Sequence, residues 1–331
     1  MEIDKQIGSW LNGFQPALLI IAANRLGVFD RLAGKPVTAK QVADGLKLSL
    51  KGSERLLNAL AGLGIVTKEK NQFHMPLAWR KYLTKAGDRS MQRWIGLVSD
   101  LIPVWTQLPD FIRSGKPITS IMEMLGSDPE RMRAFIDAMH DKGLKATSML
   151  ARELPVGDAT RMLDVGGGPG TYSLEWAKLH KNLKATIFDI APVLEVARDY
   201  IKRYGLEDRV DTKPGDFNTD DLGSGYDLVL LANILHMYPP EAGKKLVAKA
   251  VKALVPGGRI IIHGFCTDND RTVPIEDSLF SLTMGMMTEG GNAHPIKEKI
   301  GWLEEAMTED IRHFRIDAVP TGVLSATRRV H

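Results

Sequence analysis

The stretch Met162-Leu163-Asp164-Val165-Gly166-Gly167-Gly168-Pro169-Gly170 decides how this chain folds. An apolar run carries an acid near its end, a glycine-dense turn follows, and Tyr172, Leu174, Trp176 and Ala177 then give an amphipathic segment. The pattern predicts strand, tight loop and helix. Glycine lets backbone N–H groups approach a ligand closely, and a helix N-terminus behind them favours negative charge. Such a turn opens a nucleotide-type pocket at the carboxyl end of a parallel strand. The spacing narrows the choice of ligand. A dinucleotide fingerprint requires G-x-G-x-x-G and a Walker loop requires Gly-Lys-Ser/Thr. Here Gly166, Gly168 and Gly170 fall on alternate positions and no Gly-Lys-Ser/Thr follows.

From about Pro155 onward the pattern alternates. Strands are expected at Arg161–Val165, Lys184–Phe188, Arg209–Thr212, Tyr226–Leu231, Arg259–His263, Arg315–Val319 and Val323–Arg328. Helices are expected between them at Thr171–His180, Pro192–Tyr204, Glu241–Ala253 and Lys297–Ala306. This is an α/β, doubly wound domain. Its last two strands, with only Pro320-Thr321-Gly322 between them, pair antiparallel at the edge of a mixed sheet. The front of the chain reads differently. Ala17–Leu32 has helical apolar spacing, Thr38-Ala39-Lys40-Gln41 matches a capping box, and a second helix carries Leu56, Leu57, Leu60 and Leu63 on one face. Ile65-Val66-Thr67, a turn over Lys68–Gln72 and Phe73-His74-Met75 then form a hairpin, so the unit is winged-helix in pattern. Between the two lies a segment from about Ser90 to Glu153 that is helical throughout and rich in Trp, Phe and Met.

The 331 residues are 44% hydrophobic and 25% charged, ordinary for a globular protein, and the formal net charge is +3. That balance argues against a nucleic-acid or membrane partner. The second winged-helix helix offers only Lys51, Arg55 and Asn58 outside its leucine face, which is thin for reading bases. The single cysteine, Cys266, excludes an intramolecular disulfide framework and a Cys-based zinc site. The run Pro16–Ala23 is too short to cross a bilayer and no secretory signal is visible, so a cytoplasmic protein is expected.

Residues following the strands complete a constellation. Asp189 ends Thr186-Ile187-Phe188-Asp189, before Ile190, at the spacing of about 20 residues from the glycine turn where an acid reaches a ribose diol. Gly215-Asp216-Phe217 follows the third strand, and Asn233-Ile234-Leu235-His236 follows the fourth. The run Asp-x-Gly-x-Gly-x-Gly at Asp164–Gly170 resembles the first motif of S-adenosylmethionine-dependent methyltransferases of the Rossmann-like class. With the winged-helix front and helical middle, nearly the whole chain resembles the small-molecule O-methyltransferases of the caffeate, acetylserotonin and antibiotic type. The resemblance implies a winged-helix dimerisation domain over 1–88, a helical linker and substrate-pocket region over 89–153, and a methyltransferase domain with a mixed seven-stranded sheet over 154–331. It implies S-adenosylmethionine as cofactor, held by Asp164, Gly166, Gly167, Gly168, Asp189, Ile190, Asp216, Phe217 and Asn233, with no metal ion. Asp164 and Gly166 serve the methionine end, Asp216 accepts from the adenine amino group, and Phe217 stacks on the ring. His236 occupies the place of the general base that takes the acceptor hydroxyl proton. The acceptor is a small aromatic or polyketide-like molecule, and the protein is a homodimer through its N-terminal part.

The chain departs from the plant members of that family. Their two glutamates that flank the base belong at Ile262-His263-Gly264-Phe265 and at Gly290-Gly291-Asn292-Ala293-His294, where this chain has no acid, and Ala232 replaces a lysine near the cofactor. His263 and His294 thereby become candidate pocket contacts. Trp105 and Met139 in the middle region, with Phe280, Met284 and Met287 at helical spacing in Asp277–Gly290, complete the expected acceptor wall. Three other readings stay open: methyl transfer to carbon or nitrogen from the same cofactor site, a winged-helix regulator that senses a ligand through its Rossmann-like domain, and an NAD oxidoreductase, which the glycine spacing disfavours.

Overall fold

The computed structural model describes residues 2–126, 128–154, 156–316 and 319–330. The chain divides into two compact units, Met1–Pro103 and Val104–His331.

In the first unit, helices α1 (Ile3–Asn12), α2 (Phe14–Arg25) and α3 (Val28–Leu32) precede strand β1 (Val37–Thr38). The single helix expected over Ala17–Leu32 breaks at Gly27, whose φ of 70° stops α2 and starts α3. Helices α4 (Ala39–Leu46) and α5 (Leu50–Gly62) follow, then strands β2 (Thr67–Glu69) and β3 (Gln72–His74), then helices α6 (Leu77–Leu83) and α7 (Gln92–Trp105), whose last two residues, Val104 and Trp105, belong to the second unit. Thr38 and Gln41 form the expected capping box, with Gln41 N–H donating to Thr38 Oγ1 at 3.2 Å and Thr38 N–H to Gln41 Oε1 at 2.8 Å. The hairpin turn is tighter than the one read over Lys68–Gln72. Lys70 and Asn71 both have positive φ, as a two-residue turn between twisted strands requires. β1 adds a third strand beside β3, unforeseen because two residues carry no periodicity. Phe29, Leu32, Leu57, Leu60 and Met75 are fully buried and form the heart of the unit.

The second unit begins with α8 (Leu108–Ser114), α9 (Ile121–Leu125) and the long α10 (Pro129–Glu153). It then alternates: β4 (Arg161–Val165), α11 (Thr171–Leu179), β5 (Lys184–Asp189), α12 (Ala191–Tyr204), β6 (Val210–Pro214), β7 (Tyr226–Ala232), a 3₁₀ turn at Leu235–Met237, α13 (Pro240–Ala253), β8 (Leu254–Gly264), α14 (Ile275–Met287), α15 (Ile296–Glu305), β9 (Thr308–Ile316) and β10 (Val319–Arg328). The sheet runs β6-β5-β4-β7-β8-β10-β9, parallel through β8 and antiparallel at β10 and β9. It is the mixed seven-stranded sheet expected. One face buries Met162, Ile187, Leu228 and Leu230, and the other buries Leu163, Val165, Phe188, Val229 and Leu231. Burial on both faces is why these strands read as unbroken apolar runs.

The end of the chain differs from the expectation. The strand read at Arg315–Val319 is displaced to Thr308–Ile316, and residues 317 and 318 lie outside the described residues. Pro320-Thr321-Gly322, read as the turn, falls inside β10. A register shift between Val319 and Val323 in the pairing with β9 accommodates a proline that has no N–H to give to a ladder. Among the described residues, no helix is long and apolar enough to cross a membrane.

Candidate active site

The loops after β4, β5, β6, β7 and β8 leave the sheet at its carboxyl edge, where open α/β sheets bind their ligands. Asp164 lies on β4 just before the glycine turn and is wholly buried. Burial pushes its carboxyl up to about 7, against the hydroxyl of Ser173, which donates to Oδ2 at 2.8 Å. Its Oδ1 is buried with no protein partner. A buried, unpartnered carboxylate oxygen is suited to an ammonium ligand. Gly167 leaves no room for a side chain, since a Cβ there would lie 2.8 Å from Asp164 Cγ. Gly168 has φ of 56° and open space above it, the close approach a backbone-binding ligand needs.

Asp189 ties the next loop to this turn. Its Oδ2 accepts from the Gly168 N–H at 2.9 Å and its Oδ1 from the Ile190 N–H at 2.8 Å. Each oxygen keeps a lone pair for a further donor, which suits a vicinal diol. Burial raises the carboxyl above its usual range, opposed by those two N–H groups. Asp216 is exposed and caps its own loop, accepting from the Asn218 backbone N–H and side-chain amide, both at 2.8 Å. Phe217 is part-buried, edge-on to Tyr238 at 5.7 Å between ring centroids. Tyr238, which the sequence reading missed, joins these loops. Burial raises its hydroxyl, and the charges of Asp216 and Asp189 raise it further. Asn233 adopts φ of 54°, donates its N–H to the His263 carbonyl at 2.8 Å, and donates its amide to the Tyr172 hydroxyl at 3.1 Å.

His236 sits on the 3₁₀ turn after β7, half-buried yet surrounded by protein. Burial pushes its imidazole down to about 3, and the charges of Lys299, Lys142 and His294 act in the same direction. The ring is edge-on to Phe280 at 4.9 Å and to Phe265 at 5.7 Å, and those two rings stack at 3.6 Å. Its backbone is fixed by the Gly290-Gly291 turn. Asn292 N–H donates to the His236 carbonyl at 2.9 Å, and a Cβ at Gly291 would come 2.6 Å from that same oxygen. This stretch, where the family pattern has an acid, holds the backbone of His236 instead. Lys299, buried, donates to the Phe265 carbonyl at 2.7 Å, and Asp277 accepts from the Cys266 N–H at 2.8 Å, so a buried cation and a buried acid fix the loop after β8.

Several expected pocket contacts are buried in this structure. His294 has no exposed surface, its Nε2 bonds the Tyr238 carbonyl at 2.9 Å, and its Nδ1 stands 3.4 Å from Glu298. His263 is also buried, with Nδ1 bonded to the Tyr172 hydroxyl at 2.8 Å. Met284 and Met287 on α14 are 5% and 4% exposed. Of the α14 stripe, Phe280 keeps open surface, as do Trp105 at the end of α7 and Met139 on α10. A separate surface cavity of about 520 Å³, lined by Arg161, Lys184, Glu207 and Tyr226 among others, lies at the opposite, amino end of the strands and holds none of these groups.

This sheet order, with acids and a glycine turn converging on the carboxyl edge beside a neutral histidine, defines a Rossmann-like, nucleotide-binding enzyme fold. Residues 105–299 match the family model of the O-methyltransferase domain, and residues 9–80 match that of the O-methyltransferase dimerisation domain. The chain belongs to the O-methyltransferase family. It is 27% identical to the 3-hydroxy-5-methyl-1-naphthoate 3-O-methyltransferase of Streptomyces sahachiroi, over 89% of this chain and 87% of that protein. It is 26% identical to the L-tyrosine C(3)-methyltransferase of Streptomyces lavendulae, over 93% and 88%. The crystal structure of human N-acetylserotonin methyltransferase in complex with SAM superposes with a TM-score of 0.87 at 25% identity, covering 99% of this chain and 98% of that one.

Proposed function

We propose that this protein transfers the methyl group of S-adenosylmethionine to a hydroxyl of a small aromatic or polyketide-like acceptor, with His236 as general base. The observation that carries the reading is the neutral, half-buried His236 beside an aromatic pair, one strand away from the Asp164–Asp189 cradle. In this reading Asp164 receives the methionine ammonium, with the backbone of Gly166 and Gly167 beside it. Gly168, Asp189 and Ile190 hold the ribose, Asp216 and Phe217 hold the adenine, and Asn233 closes the site beneath. The cofactor supplies an electrophilic methyl on a sulfonium. His236 takes the proton as the acceptor oxygen becomes nucleophilic. A phenol, with a pKa of about 10, is largely neutral at pH 7, so losing its proton during transfer accelerates attack. Trp105, Met139 and Phe280 form the apolar part of the acceptor wall.

The naphthoate O-methyltransferase among its relatives favours oxygen as the acceptor atom. The tyrosine C-methyltransferase is the reason to keep carbon as a second reading, which mass spectrometry of the product made from labelled cofactor separates. Residues 1–88 form the dimer-making part, 89–153 the linker and pocket helices, and 154–331 the cofactor-binding part. The homodimer is supported by α1, which has no buried residue and exposes Ile3 at 76%, Trp10 at 70% and Leu11 at 69%. The lone thiol of Cys266 suits a reducing cytoplasm. The test is His236→Ala. Cofactor affinity by calorimetry stays at the wild-type level and turnover falls by roughly 10²–10⁴. Unchanged turnover removes His236 as the base.

A further inference from the structure

We propose that Lys142 binds a negatively charged oxygen on the aromatic acceptor, so that the site selects hydroxyaryl molecules bearing a carboxylate or ionised at the reacting hydroxyl. The inference rests on reading the surroundings of His236 as the acceptor site, and it adds the charge of the molecule that binds there.

The placement comes first. Lys142 Nζ lies 5.5 Å from the centroid of Phe265. Phe265 stacks on Phe280 at 3.6 Å with 17° between the planes, and His236 stands edge-on to both. An ammonium and an imidazole therefore flank one aromatic pair. A flat acceptor laid along that pair meets both groups.

The element carrying Lys142 is held firmly. On α10, His140 Nδ1 bonds Thr171 Oγ1 at 2.9 Å and Ser148 donates to Glu175 at 2.6 Å. Those links bracket Lys142 and clamp the helix to α11, whose N-terminus opens the glycine cradle. A side chain anchored this way presents its charge at a fixed depth.

Electrostatics agree with the placement. The charged and titratable groups acting on His236 are Lys299, Lys142 and His294. Lys299 is buried and donates to Phe265 O, and His294 is buried between Tyr238 O and Glu298. Lys142 keeps much of its side chain open while protein crowds its ammonium and pushes it down to about 8. Lys299 and Lys142 both act against a positive charge on His236. The same ammonium that disfavours an imidazolium favours an anion lying between Lys142 and His236. For an acceptor that arrives ionised, the oxygen's electron pair forms the O–CH₃ bond, the C–S pair returns to sulfur, and no proton remains to move. For an acceptor with a neutral hydroxyl and a carboxylate, the hydroxyl proton passes to His236, and the bound carboxylate offsets the charge of Lys142.

The test uses the full chain with S-adenosylhomocysteine bound. Titrations compare 3-hydroxy-2-naphthoate with its methyl ester, and a series of phenols of graded acidity, for wild type, Lys142→Met and Lys142→Arg. Wild type prefers the acid over the ester, or the acidic phenols over the weakly acidic, by roughly 10- to 100-fold. Lys142→Met abolishes that preference, Lys142→Arg restores most of it, and S-adenosylhomocysteine affinity is the same in all three. A preference seen only between acid and ester identifies the carboxylate, and one seen only along the phenol series identifies the ionised hydroxyl. A preference that survives in Lys142→Met, or no preference in wild type, overturns the assignment. Turnover is scored separately. Methyl transfer without a Lys142-dependent preference defeats this inference and leaves the methyltransferase reading standing. A Lys142-dependent preference without transfer to any hydroxyl does the reverse.

Discussion

Replacing Asp164 by Asn removes a carboxyl that burial holds at about 7, against an ordinary value near 3.8. The shift of about three pH units corresponds to roughly 4 kcal/mol at about 1.36 kcal/mol per unit. Between pH 3.8 and 7 the folded state keeps a proton that the unfolded chain has released, so this group's contribution to stability falls as pH rises and levels off above 7. His236 and His263, both pushed down to about 3, slope the other way between pH 3 and 6.5, because there the unfolded chain binds the extra protons. Those terms are common to wild type and Asp164→Asn and cancel in the difference. Urea unfolding without cofactor, from pH 4.5 to 8.5, therefore shows the wild type losing ground to Asp164→Asn by a few kcal/mol toward pH 7 and no further above it. A difference that does not change with pH refutes the claim that Asp164 is held uncomfortably in the empty cradle. Cofactor binding supplies the converse. An ammonium beside Oδ1 favours the carboxylate, so wild-type affinity strengthens as pH rises toward 7, and the Asn variant lacks that dependence.

Other perturbations follow from the same geometry. Gly291→Ala places a methyl against the His236 carbonyl and Met237, which shifts the 3₁₀ turn, so turnover falls by tenfold or more while cofactor titrations are unchanged. Because His236 is already neutral well below pH 6, the pH profile of kcat/KM shows no loss of activity near 6.5, the value of an exposed histidine. Tyr172→Phe removes the hydroxyl that joins Asn233 to His263 and costs about 1–3 kcal/mol in urea unfolding. Charging the α1 face with Trp10→Glu and Leu11→Lys shifts the protein toward monomer in analytical ultracentrifugation and leaves cofactor affinity in place.

The β4 turn and the neighbouring parallel strands were legible because each signal is local. Apolar runs buried on both faces mark the strands, and glycines mark the loop where Asp164, Asp189 and Gly168 meet. His236 was legible by its place after β7. The details that failed are those that spacing cannot encode. Phe280, Met284 and Met287 share a helix face, but periodicity does not say whether that face meets an opening or another helix, and the two methionines meet the interior. His294 reads the same in sequence whether it faces a ligand or bonds the Tyr238 carbonyl with Glu298 beside it. β9 was displaced because Thr308-Glu309-Asp310-Ile311-Arg312-His313 carries the polar composition of an edge strand rather than an apolar run. Lys142 offered no signal of its own, being one of several cations on α10 with Arg131, Arg133, Lys145 and Arg152. Its position over Phe265 required the packing of α10 against α11.

The proposed methyl transfer depends on the β4–β5 cradle binding S-adenosylmethionine through Asp189. Calorimetric titration of S-adenosylmethionine into wild type and Asp189→Ala tests it most directly. The expected result is micromolar binding to the wild type at one site per chain, lost in Asp189→Ala. Absence of binding to the wild type, or equal binding to both proteins, contradicts it.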